Sequence, residues 1–340
     1  MQAKAQKNSP RISIIGKRSG VLSWQFDLKE ALLELGSEVQ FHNIQCSSIP
    51  ERIEQISLKR RQLENEATCK RISNELKIFN PDLVLVLNKA GLTHQAHDQW
   101  RAAVPDGTPL VGWICDRIPG LPADQSPNLD GVYYFDSSSK LPLQQAYQAT
   151  SASIQYLPLA ASPKRFAYRP TPLKAIAPAL VFVGHCSPTR KEEIEAYRAL
   201  GGQIEVYGPK SHGITASTHT RKFTHAEQAQ LYRTHLACFN PLQIRNTLDG
   251  LNLRAFEAPL SGGLGCYSAH AKDLPSCFEL DLEVLSYASL EDLKDKVDQL
   301  HKDPDRLQQM RTAGRQRVLN SHTFTHRAEQ ILADWLPHFS

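Results

Sequence analysis

Residues Asp82–Asn88 read DLVLVLN, five consecutive aliphatic residues closed at both ends by polar ones. Such a run has strand length, and without alternation it leaves no polar face for water. Its backbone must sit in a sheet covered on both sides, which a parallel sheet flanked by helices provides. Similar runs recur at RISIIG (Arg11–Gly16), PLVGWICD (Pro109–Asp116), GVYYFDS, IQYLPLA, ALVFVG, QIEVYG and LACFN. Segments with helical periodicity separate them: Ser23–Gly36, where Leu28, Ala31, Leu32 and Leu35 share a face, a charge-rich stretch predicted as one helix over Pro50–Ile78, and stretches beginning at Arg190 and His225. Strand and helix in alternation predict α/β architecture with doubly wound sheets.

The pattern lapses once. Residues 162–178 hold four prolines and no periodicity, and 166–178 reads as a linker. The expected organisation is therefore an N-terminal Rossmann-like domain over 1–165, the linker, a C-terminal Rossmann-like domain over 179–320, and a last helix within 321–340. A chain of 340 residues suffices for two domains, each with its own core. Ligands of such sheets bind at the carboxyl ends of the strands.

Composition removes several classes. The net charge is +4, and no basic run is long enough to track a phosphate backbone, so nucleic acid is not the expected partner. That charge is compatible with an anionic small molecule and with peripheral contact with an acidic membrane surface. Seven scattered cysteines without a CxxC argue against a zinc site or a disulfide framework. No apolar run reaches membrane-spanning length and the N-terminus has no apolar leader, so the expected compartment is the cytoplasm. No GxGxxG follows Arg11–Gly16 or the strand ending at Gly184, which disfavours a dehydrogenase.

Four stretches carry candidate chemistry. In VFVGHCSPTRKE, a strand ends at Gly184 and a helix opens near Thr189, so backbone N–H groups, His185, Arg190 and Lys191 are placed for a phosphate; alternatively the cations are solvated. VYGPK ends the next strand, and Tyr207 and Gly208 stand where a nucleotide base would pack. In LDGLNLRAFEAPLSGG, Asp249, Asn252, Arg254 and Glu257 precede a glycine pair. A carboxylate there can accept both hydroxyls of a ribose, and an arginine can pair with phosphate; surface charge is the plain alternative. In the N-terminal half, Gly16, Lys17, Arg18 and Ser19 form the loop after the first strand, suited to an acceptor, and Asp116 ends a strand beside Trp113. Asp116 is the candidate base, or a residue that caps a turn.

These stretches together resemble a family. NLRAFEAPLSGG is similar to the N-x-R-x-F-E-A-x-x-x-G segment of CgeB-like (spore-maturation-type) glycosyltransferases. NSHTFTHRAEQIL (Asn320–Leu332) resembles their HTY-x-HR signature, VFVGHCSPTR their FVG-x-x-x-x-R element, and WICDRIP their W-x-x-D-x-P element. The resemblance covers about Ala179–Ala333 well and Trp113–Pro163 thinly. It implies the GT-B fold: two Rossmann-like domains facing each other across a cleft, with C-terminal helices crossing back to the first. It implies a nucleotide-diphosphate sugar as donor, held by Gly184, His185, Arg190, Lys191, Tyr207, Gly208, Asn252, Arg254 and Glu257, with Glu257 on the ribose. It implies no cofactor and no obligatory metal, and a glycan, lipid-linked or protein acceptor. Asp249 aligns with the first acid of the E-x7-E pattern of retaining members, one methylene shorter, and mildly favours retention. GLGCYSAH lacks the Thr-Asp that usually follows the glycine pair. His322, His326 and Arg327 are expected to be structural. The competing readings are a nucleotide-sugar epimerase on the same fold and a non-catalytic nucleotide- or glycan-binding protein.

Overall fold

The computed structural model describes residues 9–18, 24–46, 48–61, 65–87, 94–118, 128–208, 222–242 and 246–338, apart from a few side chains in the second and fourth helices. The chain divides into two compact units, Met1–Leu157 with Phe324–Ser340, and Pro158–Thr323.

In the first unit, β1 (Arg11–Gly16), α1 (Trp24–Glu34), β2 (Glu38–Asn43), α2 (Ile49–Arg61), α3 (Glu66–Phe79), β3 (Leu83–Leu87), α4 (His94–Arg101), β4 (Leu110–Ile114), β5 (Gly131–Tyr134), α5 (Lys140–Ala146) and β6 (Ser153–Tyr156) follow in order. The sheet runs β2-β1-β3-β4-β5-β6 and all its pairs are parallel. Every residue of β3 and β4 is buried, as their unbroken apolar runs require.

The helix expected over Pro50–Ile78 is instead two. Asn65 caps α3 by accepting from the Thr68 N–H at 2.8 Å, and its amide donates to the Glu51 carbonyl at 2.9 Å. A side chain that satisfies helix-start donors and also ties back to the preceding helix favours a break over continuation. At the far end Asn80 closes α3 in the left-handed conformation, φ 53°.

In the second unit, β7 (Ala177–Val183), α6 (Pro188–Ala199), β8 (Ile204–Tyr207), α7 (His225–Thr234), β9 (His235–Phe239), α8 (Arg254–Leu260), β10 (Gly265–Ser268), α9 (Leu274–Cys277), β11 (Leu285–Tyr287), α10 (Leu290–Lys302) and α11 (Pro304–Ser321) follow. This parallel sheet is ordered β11-β10-β9-β7-β8. The segment 166–178, expected as a linker, packs inside this unit. Phe166 stacks at 6.4 Å on Tyr232, and the Arg315 guanidinium lies 4.3 Å from the Tyr168 ring centre. Prolines stop the periodicity there without freeing the chain.

The last helix, α12 (Phe324–Trp335), belongs to the first unit and packs on α1. Phe324 stacks on Trp24 at 6.3 Å, and Trp24 meets the edge of Trp113 at 5.3 Å. The Tyr133 hydroxyl donates to Asp334 at 2.5 Å and accepts from the Trp335 indole N–H at 3.0 Å.

A buried polar series links β1, β2 and α3. His42 Nδ1 lies 2.7 Å from Glu75 Oε2, and Nε2 lies 3.0 Å from Ser13 Oγ. A neutral ring protonated at Nδ1 satisfies both contacts, donating to Glu75 and accepting from Ser13. Arg71 holds Glu75 at 2.9 Å and also Glu51 at 2.9 Å. Burial lowers the His42 pKa below its ordinary 6.5, outweighing the raising effect of Glu75. The unfolded chain then binds a proton that the folded chain refuses. Stability should fall as pH drops from about 6.5 toward the lowered folded-state value, and be fully present above that window. His42→Gln should flatten this part of the pH–stability profile in denaturant titrations. An unchanged slope would place the acid sensitivity elsewhere.

Candidate functional site at the carboxyl ends of β7, β8 and β9

In the second sheet, the connection from β7 to β8 runs one way and β9 lies on the other side of β7. The gap between β7 and β9 is thus the topological switch point, where loops diverge and leave a crevice. Gly184 follows β7, Gly208 follows β8 and Asn240 follows β9.

Gly184 has φ +140°, which side-chain-bearing residues rarely adopt. A Cβ there would stand 2.6 Å from an Arg254 guanidinium nitrogen, and a Cβ on Gly208 would stand 2.1 Å from the Gly184 carbonyl oxygen. The two strand ends therefore close on each other, and Arg254 lies directly over the first. Arg254 Nη1 donates to Asn240 Oδ1 at 2.7 Å. Asn240 and Asn252 exchange amide hydrogen bonds at 3.1 and 2.9 Å. The guanidinium also lies 5.2 Å from the Phe182 ring centre. One cation is thus fixed across the switch point by an asparagine pair.

The structure gathers Gly184, Gly208, Asn252 and Arg254 from the expected donor residues and adds Asn240, which the sequence reading omitted. The signal for Asn240 was its place, directly after the apolar run LACF.

Glu257 is half-buried one turn beyond Arg254 on α8. Asp249 is buried, lies 3.2 Å from Lys272 Nζ, and its carbonyl accepts from the Asp273 N–H at 3.0 Å. Tyr207 is buried, with its hydroxyl bonded to Glu205 and its ring edge-on to Phe223 at 5.6 Å and His235 at 6.0 Å.

Arg190 was expected to offer its charge to phosphate. It is buried and donates to the carbonyls of Pro241 at 2.9 Å and His185 at 3.0 Å, joining the loops after β7 and β9. Burial first, then repulsion from Arg254, pulls its pKa down to about 9. His185 itself is exposed. Lys191 is half-buried and borders a surface hollow of about 450 Å³ with Pro188, Glu192 and Glu195, two acids to one cation.

His322 is structural within the second unit. Its Nε2 bonds the Cys277 carbonyl at 3.0 Å, and its ring packs 5.1 Å from Phe256 and 5.7 Å from Phe278. His326 and Arg327 lie in α12 of the first unit, where Arg327 is buried. Also in that unit, Gly16 is buried at the end of β1, Lys17 and Arg18 are exposed, and the Arg18 N–H donates to Asn43 Oδ1 at 3.0 Å. Asp116 is half-buried two residues beyond β4. Ser19 lies outside the described residues.

None of the seven cysteines is disulfide-bonded. Burial raises the pKa of the Cys115, Cys186 and Cys266 thiols and pushes that of Cys238 up to about 12, so these four stay protonated near neutrality. Among the described residues, no cluster of three His, Cys, Asp or Glu side chains is placed to hold a metal ion.

Residues 190–333 match the family model described as "Glycosyl transferase-like". The fold is the GT-B fold of glycosyltransferases. A sucrose-phosphate synthase from Thermosynechococcus elongatus superposes with a TM-score of 0.65 at 14% identity, over 97% of this chain and 99% of that one. An alpha-glucosyltransferase in complex with UDP and a 13-mer DNA gives 0.67 at 11% identity, over 97% and 100%. A putative UDP-N-acetylglucosamine 2-epimerase from Listeria monocytogenes gives 0.51 at 13% identity, over 98% and 97%. No curated protein sequence matches this chain significantly.

The closure of β7 on β8 makes Gly208 a sensitive position. Gly208→Ala drives a methyl group into the Gly184 carbonyl, a backbone atom that cannot swing aside. The expected cost is about 1–3 kcal/mol, read as a lower unfolding midpoint. A midpoint equal to the parent's would show that the two strand ends are not in contact.

Proposed function

We propose that this protein is a glycosyltransferase that moves a sugar from a uridine-diphosphate sugar to an acceptor hydroxyl. The observation that carries the reading is the Arg254 guanidinium, fixed by Asn240 and stationed over Gly184 at the switch point, within a segment that matches a glycosyl transferase-like model. Uridine is favoured because the alpha-glucosyltransferase of like fold holds UDP. The subtype we favour is CgeB-like, on the motifs around Arg254 and His322.

In the proposed reaction the acceptor oxygen attacks the anomeric carbon, and the bond from that carbon to the β-phosphate oxygen breaks. The acceptor proton passes to a base, for which Asp116 is the candidate, and UDP departs with the bonding pair. Arg254 faces the growing phosphate charge, and an anion there also offsets its repulsion with Arg190. Preformed cations of this kind stabilise charge without reorganising at the moment of reaction. Glu257 accepts the ribose hydroxyls. Asp249, held by Lys272, stands near the sugar, and retention is the favoured outcome, the acceptor oxygen entering on the face from which the diphosphate leaves. Lys17 and Arg18 serve the acceptor. Turnover is proposed to need no metal, so a chelator should leave it unchanged, and the cytoplasm is the proposed compartment. Among the described residues no helix is long and apolar enough to cross a membrane.

An epimerase is the nearest rival, with a counterpart of like fold at the lower TM-score of 0.51. It would interconvert a free nucleotide sugar with no second substrate, whereas the transferase releases UDP in proportion to acceptor. A binding module would give neither.

The first measurement is a thermal-shift series with uridine, guanosine, thymidine and cytidine diphosphates. Uridine diphosphate should raise the midpoint in proportion to the logarithm of its concentration. Glu257→Ala should abolish that shift, and if the shift survives, Glu257 does not hold the ribose. Arg254→Ala should lower kcat for UDP release by about 10²–10³-fold, the cost of losing one preorganised donor. A loss confined to KM would assign Arg254 to ground-state binding alone.

A further inference from the structure

Among its described side chains, helix α2 is turned inside out. Its acids face the protein. Glu51 is buried, pairs with Arg71 at 2.9 Å and accepts from the Thr68 hydroxyl at 3.4 Å. Glu54 accepts from the backbone N–H groups of Glu66 and, at 2.8 Å, Ala67. Its isoleucines face water: Ile49 is 72% exposed, Ile53 64% and Ile56 64%. The spacing 49, 53, 56 is one helical stripe, and position 60 continues it by register. A helix that spends its carboxylates inward and three isoleucines outward is built to put that stripe against something other than water.

The charge on the helix says what. Arg52 is exposed beside the stripe, and the last turn reads Lys59-Arg60-Arg61. The helix carries four basic residues and two acids, and both acids are engaged on the inward side. The outward side therefore offers three isoleucines with Arg52 beside them, on a helix whose last turn is basic in sequence. That is the composition of a helix lying in the plane of a membrane interface. A second copy of the chain suits it poorly. A two-fold pairing brings the same patch against itself, so Arg52 would face like charge, and both acids of α2 itself are engaged inward.

We propose that this face of α2 docks on a bilayer surface carrying anionic phospholipid headgroups. Ile49, Ile53 and Ile56 enter the headgroup boundary, and the basic residues of the helix meet the phosphates. This inference stands independently of the transferase reading, since it uses neither Arg254 nor any nucleotide.

The test is co-sedimentation of the full chain with vesicles of phosphatidylcholine alone and of phosphatidylcholine mixed with phosphatidylglycerol, at low and raised salt. Binding is expected on the mixed vesicles, weakening as salt rises. Arg52→Gln should weaken binding roughly fivefold, the worth of one cation near such a surface. Ile53→Glu should weaken it by at least about tenfold. Both side chains are exposed, so both variants should keep the parental unfolding midpoint. Should one fail to fold, the other decides. Absence of binding to mixed vesicles, equal binding to neutral ones, or binding untouched by either substitution overturns the proposal. So does a parental dimer that Ile53→Glu converts to monomer in sedimentation velocity, which would assign the stripe to a second copy.

Discussion

A cation stationed over a strand end needs three things: a backbone that lets it approach, a partner that holds its direction, and a neighbourhood that has not already neutralised it. Arg254 has the three. Gly184 supplies the approach, because any side chain there would occupy the space of the guanidinium. Asn240 supplies direction, and the reciprocal amide bonds with Asn252 prevent Asn240 from turning away. On the β7 side the third condition is served by another cation, Arg190, whose pKa falls to about 9 through burial and through Arg254 itself. Two guanidinium groups in mutual repulsion are a standing cost that an anion would offset.

The second unit uses other arginines differently. Arg190 spends its donors on the carbonyls of His185 and Pro241, tying two loops across the switch point. Arg311, with its pKa drawn down to about 10 by burial, binds the carbonyls of Gly262 and Arg233. A planar fork of five donors suits this role, since one side chain satisfies carbonyls on separate segments that would otherwise be buried without partners. Cations that cross-link backbone are committed. Arg254 instead donates to a neutral amide, and it is the cation proposed to meet a ligand.

Sequence periodicity revealed most of the architecture, for a definite reason. Strands buried on both faces, such as LVLVL and LVGWI, cannot disguise themselves with alternation. What stayed hidden depended on tertiary partners. The single helix expected over Pro50–Ile78 ignored Asn65, whose capping bond and bond to Glu51 need the folded geometry to be seen. The linker expected at 166–178 was inferred from prolines, which report the absence of regular structure and say nothing of packing. Tyr168 and Phe166 anchor that stretch through ring contacts invisible to composition. At the candidate site, the glycines and the run around Arg254 were legible because turn chemistry and charge are local. Asn240 was not, since an asparagine ending a strand looks like punctuation until its amide is found holding Arg254. Arg190 misled in the opposite sense: a first-turn cation suggests an anion site, and burial turned it into a cross-link.

The series Ser13, His42 and Glu75 shows why geometry alone does not make a site. A hydroxyl 3.0 Å from one imidazole nitrogen and a carboxylate 2.7 Å from the other reproduces the distances of a nucleophile, its base and the group that orients the base. Yet Ser13 and His42 are wholly buried, and both belong to paired strands rather than to the loops beyond them. No substrate atom can reach that hydroxyl, so the series acts on stability and its pH dependence. The Arg254 cluster has the less familiar geometry but the better address: a half-buried cation where two strands diverge, beside glycines that expose backbone. Access and location at a strand end, more than the identity of the triad, separate the group that can meet a ligand from the one that holds a helix to its sheet.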